Sequence, residues 1–481
     1  DFRFTIFDRQ STTLKCAGHH HDENFNELSA IRISTDYRRL TTDDFYFQRK
    51  IPMPLQAGIA KIDITPPPEQ PMYGYPPLQW QMDGAPADTS NYFGRDGLAE
   101  GTHDPLFARA LVLDNGEQTI AMVALDIGIV NKPFTQEIRA AVQETTGIPG
   151  EHILLNTSHT HSGPDLFHAT QDLDPKVKPV IQQKIIEAIR QAHTNRQPAR
   201  VGWADGHLET IAINRREDEG PINPRVGVMV VENEAKQPLA LVVNFAVHPI
   251  VLSAANRHYT GDLPGYAMAA LERIYPDSVA LFLNGCAGNI NPVAYPWGQK
   301  ANIVPVFREA WHAGHPHPRT FRNAARLGHI LAGTVLQTAE QVEQFETEVH
   351  LTGAIHSVRL PLRPSEELSK YNTFFGKIKD YSVRLREGHF ETEVQALAIG
   401  STLYIGLPGE PFVELGLELE QRLQPSRAYV FGYSNDDTAY ILHRDAYEDN
   451  RYETWGSMVQ PGSGEILIDE AEKVARTVQD I

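Results

Sequence analysis

One apolar run, ending in two alternating histidines and a glycine-proline stop, constrains this chain more than any other stretch. Ile153, Leu154 and Leu155 read as the end of a buried strand, and Gly163-Pro164 forces a turn just beyond it. Successive strand side chains point to opposite faces, so extended backbone carried past Thr157 would set His159 and His161 on one face. Two imidazoles emerging together at the mouth of a sheet suit a metal ligand with a general acid/base partner. A surface loop carrying two histidines is the competing reading of the motif alone. The rest of the chain has to decide.

With 481 residues the chain can bury a large core, and its length allows two to four domains. A net charge of -18 with no basic run argues against a general affinity for nucleic acid or anionic lipid. No apolar window reaches the 18 or so residues of a membrane span. The chain starts Asp1-Phe2-Arg3 without a signal-type apolar segment, as expected if an export signal has been removed. Two cysteines, Cys16 and Cys286, make no disulfide framework.

Residues 1–54 are polar and charge-rich, and read as an N-terminal extension to one domain over 55–481. The run His19-His20-His21 fits a solvated loop, since adjacent histidines cannot all face one ion. From Ala57 the chain alternates short β-type runs with helical periodicity. Asp114-Asn115-Gly116 between two apolar runs predicts a hairpin, and helices are expected over 135–145, 177–194 and 265–274. Further helices are expected for about 20 residues from Phe321, then over 413–423 and 465–479. Strands are expected over 199–204, 209–214, 226–232, 239–247, 279–283, 349–362 and 428–433. No internal repeat is evident. This order predicts a mixed α/β (α+β) fold with flanking helices.

Three strand ends offer ligand-type side chains: His159, His248 and Glu410, each followed closely by a proline or glycine turn. Two histidines and a carboxylate, with a position left for water, are the parts of a catalytic zinc site. Taken singly, each is equally a satisfied polar residue, and nothing in the spacing shows that the three converge.

The segments Thr157-Ser158-His159-Thr160-His161-Ser162-Gly163-Pro164, Asn244-Phe245-Ala246-Val247-His248-Pro249 and Pro408-Gly409-Glu410 occur in the order found in the neutral/alkaline non-lysosomal ceramidase family. The entry segment Gly58-Ile59-Ala60-Lys61-Ile62-Asp63-Ile64-Thr65 also resembles that family, and the likeness runs from about Ala57 to the C-terminus. The resemblance implies a zinc hydrolase of amide (N-acyl) bonds whose metal is held by His159, His248, Glu410 and Tyr440. It implies that His161 is the acid/base histidine, and that Arg215 and Tyr452 face the scissile carbonyl. A small-molecule substrate, either an N-acyl lipid or an acylated sugar, and a secreted or periplasmic location follow from the same likeness.

The chain departs from the family in places. Asn291 stands where family ceramidases have a serine, which closes a serine-nucleophile route, and no C-terminal immunoglobulin-like domain is expected. Asp165-Leu166 replaces a Gly-Gly pair at the expected substrate mouth, and Asp165 and Asp262 would suit a polar substrate. Two other readings stay open: the same core acting on an ester, acetyl or glycan-linked bond of a carbohydrate, and a non-catalytic binding module on this scaffold. The amidohydrolase barrel, which also carries His-x-His, fits poorly because seven further regular βα units are not found.

Overall fold

Most of the longer described strands bury residues on two different cores, which explains why so many runs are apolar on both faces. The computed structural model describes residues 54–75, 95, 97–167, 173–217, 219–293, 319–364, 388–449 and 451–479. The expected N-terminal extension (through residue 53) and the loops 76–94 and 294–318 lie outside the described residues.

Among the described elements one pattern occurs three times: an antiparallel meander of three strands, a helix, a fourth strand parallel to the third, and a closing helix. The first unit is β1 (Gln56–Asp63), β2 (Phe107–Asp114), β3 (Thr119–Leu125), α1 (Lys132–Thr146), β4 (Ile153–Thr157) and α2 (Val177–Thr194). The second is β5 (Gln197–His207), β6 (Arg225–Asn233), β7 (Pro238–Phe245), α3 (Asp262–Ile274), β8 (Val279–Asn284) and α4 (Phe321–Ala339). The third is β9 (Leu351–Pro361), β10 (His389–Ile399), β11 (Thr402–Gly406), α5 (Val413–Arg422), β12 (Arg427–Phe431) and α6 (Ser463–Gln479). The first two sheets join edge to edge through β1 and β5 into one eight-stranded sheet. No single parallel barrel is present among the described residues, which removes the amidohydrolase-barrel reading.

One face of all three sheets lines a shared central core. Leu111 and Leu154 come from the first unit, Met229 and Leu281 from the second, and Tyr404 and Phe431 from the third. The opposite faces pack under their own helices, as Val112 and Ile185 do in the first unit, Phe282 and Leu331 in the second, and Ile405 and Leu467 in the third. The inner and outer sets alternate along strands such as β3 and β8, where a slip of one residue would exchange the two cores.

Local signals set most boundaries. The hairpin forms with Gly116 at φ 80°. Helix α1 begins earlier than the periodicity predicts, because the Asn131 side chain accepts from Phe134 N at 3.1 Å and Pro133 suits a first turn; Gly147 at φ 79° ends it. The strand expected over 209–214 is only Ala212–Asn214, paired with Ile290–Pro292. No described helix is long and apolar enough to cross a membrane.

Candidate active site

The loops that leave the third and fourth strands of each unit meet at one end of the shared core. Crossover pairs place the carboxyl ends of parallel strands together, the usual position for a ligand site in α/β sheets. The edges β4 and β8 are tied there directly: Asn284 N donates to Asn156 Oδ1 at 2.9 Å, and Asn284 Nδ2 to the Ser158 carbonyl at 3.0 Å.

His159 does not reach the site by strand alternation. β4 ends at Thr157, and His159 sits in the left-handed region at φ 65°. Such a conformation costs a residue other than glycine about 1–2 kcal/mol and persists only when its surroundings impose it. Here they do. His159 Nδ1 meets the Gly128 carbonyl at 2.8 Å, and its ring stacks on Tyr433 at 4.3 Å. A side chain on Gly128 would strike the Tyr73 ring at 2.1 Å, so only glycine lets that carbonyl stand where it does.

His248 follows β7 and is held in the same way, with Nδ1 2.7 Å from the Ala287 carbonyl. Glu410 follows β11 after Gly409, at φ 63°, and pairs in register with Tyr440 in a short parallel ladder. Gly288 lets the neighbouring loop pass close by, since a Cβ there would lie 2.5 Å from the Glu410 carbonyl oxygen.

The backbone acceptors keep the proton on Nδ1 of His159 and His248 and leave both Nε2 lone pairs facing inward. Glu410 Oε2 lies 3.3 Å from each of those Nε2 atoms, and His161 Nε2 lies 3.3 Å from that of His159. His248 Nε2 and Glu410 Oε2 are buried without a hydrogen-bond partner. Acceptors pressed together in this way repel one another unless a cation sits between them. An ion with ligand bonds of 2.0–2.1 Å in tetrahedral geometry separates its ligands by about 3.3 Å, so this donor set fits zinc.

The electrostatics agree. Burial pushes His248 down to about 4, and burial followed by the neighbouring His159 and His248 holds His161 well below its usual value. Burial acts to raise Glu410, but His159 and His248 outweigh it and keep the carboxyl well below the usual carboxylate range. Burial thus favours neutral imidazoles at His161 and His248, beside the Glu410 carboxylate.

His161 differs from the other two histidines. Its Nδ1 is buried with no hydrogen-bond partner, so no backbone carbonyl fixes its proton. Tyr73 and Tyr75 lie edge-on to its ring at 5.4 and 5.0 Å. The Arg95 guanidinium donates to the His161 and Tyr73 carbonyls at 2.8 and 3.0 Å. Geometry alone also groups His159, His161 and His248 as a three-histidine set able to hold a metal.

Arg215 enters on the strand Ala212–Asn214. Its Nη2 donates to Tyr440 Oη at 3.1 Å and its Nη1 to Asn291 Oδ1 at 3.3 Å. Tyr452 opens the short helix Tyr452–Gly456, and its side chain lies outside the described residues. Asp262 does not serve as a substrate contact: it is fully buried, with its carboxylate accepting from the Leu252 and Leu263 amides. Sequence reasoning passed over Tyr433, Arg95 and Gly128, which carry no local motif.

Comparisons with known proteins place the chain in a family and match its fold. The family model described as neutral/alkaline non-lysosomal ceramidase, N-terminal, matches residues 56–303. Neutral ceramidase of Mycobacterium tuberculosis (strain ATCC 25618 / H37Rv) is 23% identical over 447 residues, covering 75% of this chain and 70% of that protein. Neutral ceramidase A of Dictyostelium discoideum is 27% identical over 270 residues, covering 51% of this chain and 34% of the relative. The crystal structure of neutral ceramidase from Pseudomonas aeruginosa superposes with a TM-score of 0.70 at 19% identity, covering 89% of this chain and 75% of that one. A ceramidase complexed with C2 gives the same TM-score and identity over 89% and 76% of the two chains. At that identity the likeness is one of fold.

Proposed function

The chain belongs to the neutral/alkaline non-lysosomal ceramidase family, and on that premise we propose that it is a zinc-dependent hydrolase of N-acyl amides. The observation that carries the metal is the convergence of His159, His248 and Glu410 at 3.3 Å, with His248 Nε2 and Glu410 Oε2 buried without hydrogen-bond partners. In this reading His159, His248 and Glu410 hold the ion, and Tyr440, beside Glu410 in the ladder, is a fourth ligand. When bound, zinc supplies Lewis acidity, lowering the pKa of water towards about 7 and polarising a carbonyl.

The remaining work falls to the chain itself. His161 accepts the proton of the attacking water and returns it to the amine as the C–N bond breaks, leaving a carboxylate and a free amine. Its unanchored Nδ1 supports that role, because no backbone acceptor commits it to one tautomer. Arg215 donates to the carbonyl oxygen as negative charge develops there, and Tyr452 is its proposed companion. Asn291 accepts from Arg215 and supplies no nucleophile. An N-acyl lipid is the substrate class that the relatives' names support.

The test is metal content, by plasma mass spectrometry, of the purified tag-free protein and of a His159→Ala/His248→Ala variant, each then assayed on N-acyl sphingoids. About one zinc per chain, lost in the variant together with fatty-acid release, is the expected result. A metal-free protein, or turnover that survives in the variant, would overturn the proposal.

A further inference from the structure

We propose that Glu453 is a positioning residue that aims the Arg215 guanidinium at the reacting carbonyl, an inference that rests on the amide-hydrolase reading of this site. Glu453 is 3% exposed and reaches the site from 238 residues further along the chain. Its Oε1 accepts from Arg215 Nε at 2.5 Å and its Oε2 from Arg216 Nη1 at 2.8 Å. Arg216 is itself fixed. It donates to the Ala446 carbonyl at 3.0 Å and to Asp449 Oδ1 at 2.5 Å, and lies 5.1 Å from the Phe412 ring centre.

The division of the Arg215 donors is the point. Glu453 takes Nε, which leaves the two terminal nitrogens to Asn291 and Tyr440 at the site. A free arginine samples many rotamers, and fixing one in advance removes that entropy from the reaction step. Glu453 touches no reacting atom; it acts through Arg215.

Glu453→Gln keeps the shape and removes the charge. Its kcat on an N-acyl sphingoid should fall about 10–100-fold, with KM within about twofold and zinc content unchanged. In an Arg215→Gln background the same change should cost nothing further, because the residue it positions is gone. Wild-type kcat in Glu453→Gln, or losses that multiply in the double variant, would overturn the role. Glu453→Asp, which retains the charge but withdraws it by one methylene, is the second variant should the first fail to fold; its loss should be smaller and equally absent without Arg215. A substrate-free readout separates this inference from the proposed activity. With 15N-arginine labelling, the Nε–H resonance that vanishes in Arg215→Gln should exchange slowly with solvent in the unaltered protein and rapidly in Glu453→Gln. Equal exchange in the two refutes the positioning role. Should no N-acyl substrate turn over, the proposed activity fails and this resonance still decides the role.

Discussion

Gly74→Ala separates the two roles assigned to the paired histidines. Gly74 sits at φ +94°, and a methyl group there would lie 2.2 Å from His161 Nδ1 and 2.3 Å from its Cγ. Comfortable contact begins at about 3.5 Å, so the ring has to retreat by more than about 1 Å. The Tyr75 ring, 5.0 Å away edge-on, limits where it can go. A displacement of about 1 Å at a reacting group costs on the order of 10²-fold in rate. The strained backbone adds about 1–2 kcal/mol of destabilisation, a few degrees of Tm at most. The three atoms nearest the new methyl all belong to His161, so His159, His248 and Glu410 keep their places. The variant should therefore retain about one zinc per chain by plasma mass spectrometry while kcat falls about 100-fold. Unchanged kcat would remove His161 from the reacting centre. Loss of zinc from a protein with a native circular dichroism spectrum would make His161 a ligand, as its 3.3 Å approach to His159 allows.

Glu410→Gln should abolish turnover and weaken zinc binding by more than about 100-fold in chelator competition, beyond the usual cost of altering a residue that only hydrogen-bonds to a ligand, while circular dichroism stays native; full activity would exclude Glu410 from the site. Glu420 provides a test by pH. Burial raises it to about 7 from its usual 4.5, against the lowering effect of Arg225, so the folded chain holds a proton that the unfolded chain releases. That contribution to stability is present in full below about pH 4.5 and is lost as pH rises through about 7, at most ~3 kcal/mol. Unfolding free energies of the parent and Glu420→Gln, measured from pH 4.5 to 8, should change relative to each other by that order, with the parent losing ground; a constant difference refutes the shift.

Much of the fold was legible because each element carries its own signal. Helix 177–194 is read to the residue from its uninterrupted amphipathic spacing, and the Asn115-Gly116 turn marks its hairpin. The shortened strand at Ala212–Asn214 was over-read because β-type composition cannot reveal whether a partner strand exists. The structure brings His159, His161, Arg215, His248, Glu410 and Tyr440 together, but the physical route by which they meet was not legible. Strand alternation was the wrong reason for pairing His159 with His161, since a left-handed residue turns the chain before alternation can act. Arg95 and Tyr433 stayed invisible because their partners are backbone carbonyls and a stacked ring. Such partners leave no pattern along the chain.

The threefold pattern escaped notice for a related reason. A meander and a crossover helix require alternating apolar residues and well-placed breakers, and many sequences satisfy both. Around the ends of the three fourth strands the chain reads Asn156-Thr157-Ser158, Asn284-Gly285-Cys286 and Gly432-Tyr433-Ser434, which share little chemistry. The proposed ligands divide along the same lines. His159 belongs to the first unit, His248 to the second, and Glu410 and Tyr440 to the third, so no unit alone holds the whole set. A metal site built this way exists only while all three units stay docked on their shared core, and local opening of any one dismantles it. Binding at such a site stabilises the docking of the whole in proportion to its affinity. The single carboxylate has a physical reason too. Three neutral imidazoles would leave a divalent charge uncompensated at a fully buried point, and one anion on the facing unit offsets half of it.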